Sequence, residues 1–347
     1  MITLQKKIGK RSNIGAFIVN RERFKEYNFS EENDKYNRVF GVDYNLASED
    51  NTWAGRYYLH KSINPDDKGG NLSAQAITTY NKNNWVFIND WTYVDNDFTA
   101  DLGFVPRTDI FKMGNFAQRF FFPKNREVIN RNNVQLLFIN YFRPKLDFKL
   151  TDYIFRGTWE TEFASNAKIT ANVFSQYILL TDDFDPTRTD GGTPLPGNES
   201  YRFSYTNIEF ASNNTKLFTY GLNTTIGQFF NGNRYSVGGT LGYRWQPWGQ
   251  FSLNVNYDGI KLPEPYESAN YWLITPRVDV TFNKSLFFNA MMQYSNQREN
   301  FGINARLQWR FAPLSDLFLV YNDNYNSTEF TPRFRSINLK MTYWLNL

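Results

Sequence analysis

The chain is 347 residues long, carries a formal net charge of +4, and is 18% aromatic with no cysteine. Without cysteine there is no disulfide, no thiolate metal site and no cysteine nucleophile. The basic residues are dispersed, so no block tracks nucleic-acid phosphates, and no stretch reaches the ~18–20 consecutive apolar residues of a membrane-spanning helix.

Mean hydropathy is only −0.56, although 33 Phe, 22 Tyr and 9 Trp are present. The two facts agree if apolar and polar residues alternate, as in strands with one apolar and one polar face. Residues 2–8 read as the tail of a strand, 9–11 as a short turn and 13–20 as the next strand. An up-and-down sheet seldom opens on a partial strand, so the chain is expected to be the C-terminal portion of something longer. Met1 to Lys7 lack the apolar run of a secretory signal, so a signal is expected upstream. Farther on, Tyr153, Phe155, Trp159 and Phe163 oppose Arg156, Thr158, Glu160 and Glu162. Tyr235, Val237, Leu241, Tyr243 and Trp245 oppose Ser236, Thr240 and Arg244. Phe251, Leu253, Val255 and Tyr257 alternate with Ser252, Asn254, Asn256 and Asp258. Trp272, Ile274, Val278, Val280 and Phe282 face away from Thr275, Arg277 and Asp279. Phe301, Ile303, Ala305, Leu307, Trp309 and Phe311 face away from Asn304, Arg306, Gln308 and Arg310. The last segment sets Leu339, Met341, Tyr343, Leu345 and Leu347 against Asn338, Lys340, Thr342 and Asn346, joined by Trp344. A helix would bring together residues three and four apart, and here those differ in character.

The connections alternate long and short. Residues 21–35, 61–70, 94–109, 181–199, 259–270 and 322–334 are long and 229–233 and 296–300 intermediate; 47–51, 81–83, 164–166, 211–216, 246–249, 283–284 and 312–315 are short. Outer-membrane barrels have short periplasmic turns and long extracellular loops. The rhythm predicts an all-β, antiparallel, transmembrane up-and-down β-barrel of about 16–18 visible strands, incomplete on its N-terminal side, with a periplasmic C-terminus. Residues 123–133 are too long for their periplasmic slot, and 151–152 too short for their extracellular one.

The segment Asp101-Leu102-Gly103-Phe104-Val105-Pro106-Arg107-Thr108-Asp109 resembles a family of Gram-negative outer-membrane barrels of unknown function. In that family a carbohydrate-binding family 9-like domain precedes the barrel. Lys10 to Ala16, Val19 to Arg21, Asn37 to Tyr44 and Tyr343 to Asn346 fit the same resemblance, which covers essentially the whole chain. It implies that residues 1–347 are the barrel domain, and that a signal peptide, the sugar-binding-like domain and the first strands lie upstream. It also implies glycan or nutrient handling through that upstream domain. It carries over no catalytic residue. Read physically, Gly103 permits a tight bend, Pro106 holds Val105 extended, and Arg107 and Asp109 could pair across a turn; the segment falls in an extracellular connection able to fold back into the lumen, and reads either as a rigid loop anchor or as a recognition loop.

His60, the only histidine, shares a face with Ala54, Arg56 and Tyr58. It reads either as a lumenal histidine or as the base of a barrel hydrolase. No Gly-x-Ser-x-Gly elbow and no second histidine accompany it. Asp182, Asp183, Asp185 and Asp190, with Gly191 and Gly192, read either as an acidic surface loop or as a weak calcium candidate, their spacing not being that of an EF-hand. Inward charges of both signs (Arg56, Arg156, Glu160, Glu162, Arg244, Asp258, Arg277, Asp279, Arg306, Arg310 and Lys340) predict either cross-strand ion pairs or a conducting lining. The candidate lumenal or loop binding residues are Arg56, Tyr58, His60, Arg107, Asp109, Arg277, Asp279 and Arg306.

The expected protein is a non-enzymatic Gram-negative outer-membrane barrel, acting in surface binding, transport or anchoring. Its expected partners are outer-membrane lipid and, through the upstream domain, glycans or other nutrients; no cofactor and no nucleic acid are assigned. The rivals are an outer-membrane enzyme working at the extracellular rim and a soluble, lectin-like β-protein.

Overall fold

The structure, a computed structural model, describes residues 1–31, 35–65 and 69–345. The chain forms one sheet of 19 strands. In chain order these are β1 (Ile2–Ile8), β2 (Ser12–Glu22), β3 (Tyr36–Ala47), β4 (Trp53–Ile63), β5 (Leu72–Lys82), β6 (Trp85–Val94) and β7 (Ile110–Phe121). They continue with β8 (Ile129–Arg143), β9 (Lys149–Phe163), β10 (Lys168–Leu179), β11 (Ser200–Ala211), β12 (Phe218–Phe229) and β13 (Gly232–Trp245). The last are β14 (Gly249–Lys261), β15 (Ala269–Thr281), β16 (Leu286–Ser295), β17 (Asn300–Ala312), β18 (Ser315–Asn326) and β19 (Pro332–Thr342). Every strand pairs antiparallel with the next. The fold is therefore all-β and up-and-down, with one strand more than the upper expectation. Among the described residues no register joins β1 to β19.

Following the registers from strand to strand keeps the polar residues on one face. One row runs Phe17, Gly41, His60, Ser73, Val94, Ile110 across β2 to β7. Another runs Arg156, Phe174, Tyr205, Gly227, Arg234 across β9 to β13. All the inward charges named above lie on this face.

The opposite face is apolar and uncovered. Val42 is 51% exposed and Leu222 55%. The accessible surface is 22116 Å², against roughly 14,700 Å² for a compact monomer of this mass. The excess follows from a single layer with no second sheet over its apolar side. Fully buried polar side chains outnumber buried apolar ones, the reverse of a water-soluble core.

Aromatic side chains gather near the short-turn end of the strands. Trp53 meets Tyr80 at 4.9 Å, Trp85 stacks on Phe87 at 5.3 Å, and Phe311 stacks on Tyr343 at 6.3 Å. A second set lies toward the long-loop end, where Tyr153 stacks on Tyr177 at 5.8 Å and Tyr257 meets Trp272 at 4.8 Å. On β13, Tyr235 and Tyr243 mark the two sets, about 27 Å apart along the strand at ~3.4 Å per residue.

Three expectations change. Residues 129–133 belong to β8 and 151–152 to β9; the chain turns instead at residues 144–148, through a 3-10 turn at Pro144–Leu146. Ile129 to Asn133 carry no apolar alternation because three of their residues are Asn; a register shift near Ile129 and the Arg131–Glu162 ion pair at 2.6 Å accompany their pairing. The loop expected at 322–334 shrinks to residues 327–331. The terminal alternation holds in a strand only to Thr342, where the Trp344 amide donates to Ser315 Oγ at 3.0 Å; Asn346 and Leu347 lie outside the described residues.

Two long connections fold back over the polar face. Residues 95–109 bury Phe98 against Val39, Val94 and Ile110. Residues 180–199 form a small hairpin closed at Phe184 and Leu195, with Leu195 fully buried. The first reaches Arg21 on β2 and Asp152 on β9; the second reaches Tyr271 on β15. Contacts spanning that many strands mean that the polar face is concave.

Candidate functional site

The first in-folded connection roofs a cavity of about 590 Å³ whose walls come from β2 to β8. Arg56, Tyr58, His60 and Arg107, four of the sequence-derived candidates, meet there. Alternation explains the first three, which occupy successive inward positions of β4. Tyr58 stacks on His60 at 4.2 Å, and His60 sets its edge to Phe17 at 4.9 Å. The Arg56 guanidinium lies 5.7 Å from the Tyr58 ring. Gly41 makes this stack fit: a Cβ there would collide with the Phe17 ring and with His60.

His60 Nε2 lies 3.3 Å from Asp43 Oδ1. Among the described residues its ring reaches no serine or threonine hydroxyl, so the nucleophile–base contact of a hydrolase is not assembled around it. Lys112 is ion-paired with Asp90, which also accepts from Gln75 Nε2 at 3.1 Å and from Thr92 Oγ1 at 3.0 Å. The strand side of the cavity is thus polar and hydrogen-bonded. Its roof, including Phe98, Leu102, Phe104 and Val105, is apolar.

The roof is anchored by polar contacts at its start. Asn37 Nδ2 donates to Thr99 Oγ1 at 2.9 Å, the Thr99 amide donates to Ser62 Oγ at 3.1 Å, and Arg21 Nε donates to Asp101 at 2.9 Å. Gly103 closes a turn by donating its amide to the Ala100 carbonyl at 2.9 Å. Arg107 and Asp109 do not pair with each other. Arg107 reaches Asp152 at 3.3 Å and stacks over Tyr141, whereas Asp109 is buried, accepting from Arg143 Nε at 3.0 Å and the Lys145 amide at 2.9 Å. Asp109 has a left-handed backbone, φ 53°, and its carboxylate is taken up by Arg143 and the Lys145 amide rather than by Arg107.

Arg277, Asp279 and Arg306 form a separate group on β15 and β17. Arg277 makes a two-pronged bond to Asp279, both contacts at 2.9 Å, and Gln250 Nε2 adds a third at 3.1 Å. With the Asn289 amide turned so that its oxygen faces the guanidinium, Arg306 donates to it at 3.2 and 3.0 Å. Other inward charges pair as well: Lys168 with Glu160 at 2.5 Å, Arg234 with Asp258 at 2.6 Å, and Arg310 with Asp316 at 3.3 Å.

The four loop aspartates do not converge. Asp185 accepts from the amides of Thr187 and Thr189, both at 2.8 Å, and Asp183 from the Gly197 amide at 2.8 Å. Asp182 bonds Thr181 Oγ1 at 3.0 Å. Among the described residues no three His, Cys, Asp or Glu side chains form a metal-holding group. Burial pushes the Asp185 carboxyl up, but the Thr187 hydroxyl and the amides of Thr187, Thr189 and Arg188 outweigh it and hold the group below the usual carboxylate range.

Sequence reading missed Asp43, Phe17, Gly41, Asp90 and Lys112. Asp43 and Phe17 do alternate correctly in their strands, but which strand position they face depends on register. Compared with protein-family models and with curated proteins, the sequence matches none.

Proposed function

We propose that this chain is the barrel part of a Gram-negative outer-membrane protein that binds or passes a small polar ligand on its concave inner side, without catalysis. One observation carries the reading: an apolar face runs along a single sheet, uncovered and bordered by aromatic bands. Burying a large apolar side chain is worth about 1.5–3 kcal/mol, so dozens left in water are not tolerated, whereas hydrocarbon receives them at no cost. The aliphatic zone between the bands suits the ~25 Å apolar belt of such barrels. A lectin-like soluble protein would need a second layer over that face.

Lipid also demands that both sheet edges be paired. With 19 strands in up-and-down order, β1 and β19 run parallel to each other. The seam therefore closes either by parallel pairing of these two strands or through an odd number of further antiparallel strands. Upstream strands of the kind implied by the resemblance of residues 101–109 would supply the second. In this orientation the short turns face the periplasm, the in-folded connections guard the outer mouth, and Arg56, Tyr58, His60 and Arg107 serve ligand capture.

The test is flotation with liposomes, read together with heat-modifiable migration. The chain is expected to float with lipid and to migrate faster before boiling. A monomer that stays in solution without detergent and shows no heat shift would defeat the reading.

A further inference from the structure

We propose that a second cavity, walled by β9 to β14, binds a polyhydroxylated organic acid bearing a single carboxylate, with Arg156 as its anchor. The cavity measures about 650 Å³ and is lined by Arg156, Asn172, Gln176, Tyr205, Asn207 and Asn223 among others. Its wall is the inward row Arg156, Phe174, Tyr205, Gly227, Arg234.

The two arginines of that row differ. Arg234 is spent on Asp258, with contacts at 2.7 and 2.6 Å. The Arg156 guanidinium has no carboxylate, carbonyl or ring partner among the described residues, and its Nε is buried without an acceptor. An unmade bond at a charged, shielded donor is costly. A planar guanidinium matches a carboxylate with two parallel N–H···O bonds. The geometry thus favours an oxyanion delivered by a ligand.

The rest of the lining selects hydroxyls. Thr158 Oγ1 donates to Asn172 Oδ1 at 2.7 Å, Asn172 Nδ2 to Asn207 Oδ1 at 3.0 Å, and Asn207 Nδ2 to Thr225 Oγ1 at 3.2 Å. Such a ladder fixes amide orientation and leaves further donor and acceptor capacity. Gln176 Nε2 is held by the Tyr205 hydroxyl at 2.9 Å. Amides both donate and accept, as hydroxyl groups do. Phe174 stacks on Tyr205 at 4.6 Å and supplies a flat apolar wall for the carbon faces of the ligand. Glu209 lines the same cavity and disfavours a ligand with several negative charges.

This inference deepens the ligand-binding reading of the inner face and rests on it, but it is measured separately. The full chain in detergent micelles is titrated calorimetrically with glucuronate, glucose and inorganic phosphate. Glucuronate is expected to bind at least tenfold more tightly than glucose or phosphate. Arg156→Gln is expected to weaken glucuronate tenfold or more, and Arg156→Lys less. The proposal falls if glucuronate does not bind, if glucose or phosphate binds as well, or if Arg156→Gln leaves the affinity unchanged. Heat-modifiable migration checks that the variants are folded; if Arg156→Gln is not, the glucuronate–glucose contrast on the unaltered chain decides. Failure here with successful flotation rejects the ligand and leaves the membrane assignment standing.

Discussion

The two in-folded connections differ in how they hold to the same kind of surface. Residues 95–109 combine polar anchors from Asn37, Ser62 and Arg21 with an apolar cluster in which Phe98 is set into Val39, Val94 and Ile110. Residues 180–199 also bury Leu195, but they are shaped by carboxylates: Asp185 gathers Thr187 and Thr189, and Glu267 of the neighbouring 262–268 connection accepts from the Thr193 amide at 2.7 Å. The first leaves an apolar roof over a charged wall. The second lies beside an amide-lined space. One sheet topology therefore supports two chemically distinct chambers, and the difference resides in the connections and in which inward positions stay small or apolar.

The largest expected effect tests the apolar half of this contrast. Phe98→Ala removes a buried ring and is expected to cost about 3–5 kcal/mol locally. Limited proteolysis should then cut within residues 95–109 far faster, with 180–199 unchanged. Simultaneous loosening of both connections would show that they are one cooperative unit and end the comparison.

A smaller effect is expected at Gly41. Valine there collides with Phe17 and His60, and overpacking of this kind costs about 1–3 kcal/mol. The denaturation midpoint in detergent should fall, while glucuronate binding in the Arg156 cavity stays within twofold. A change in that binding would mean that the chambers communicate.

The smallest effect sharpens the polar half. Asp185→Asn weakens the bonds to Thr187 and Thr189 and is expected to cost about 1 kcal/mol. The same contact predicts a pH dependence confined to residues 180–199. The folded carboxyl lies below its ordinary value of about 3.9, so its contribution is whole above that value and is lost as pH falls through the lower folded one. Protease sensitivity of this segment should rise only in that acid range, and Asp185→Asn should abolish the acid step. An acid step that survives in the variant would assign it to another group.

Much of the architecture was legible from sequence because strand alternation is local. Residues 235–245 and 301–311 show both faces without any reference to a neighbour. The inner face of β4 likewise delivered Arg56, Tyr58 and His60 together. The polar start of β8 was not legible: Ile129 to Asn133 offer no apolar rhythm, and they pair as strand across to β9. Nor was the fate of Arg107 and Asp109, whose partners Asp152 and Arg143 stand on β9 and β8.

The amino-acid order alone determined the period of two, the character of each face and the long–short rhythm of most connections, because these depend on neighbours along the backbone. Only the tertiary structure decided that His60 meets Asp43, that residues 95–109 turn inward, and that Arg156 is left without a partner while Arg234 is not. Those outcomes depend on register between strands, and a shift of one residue there would send every side chain to the other face.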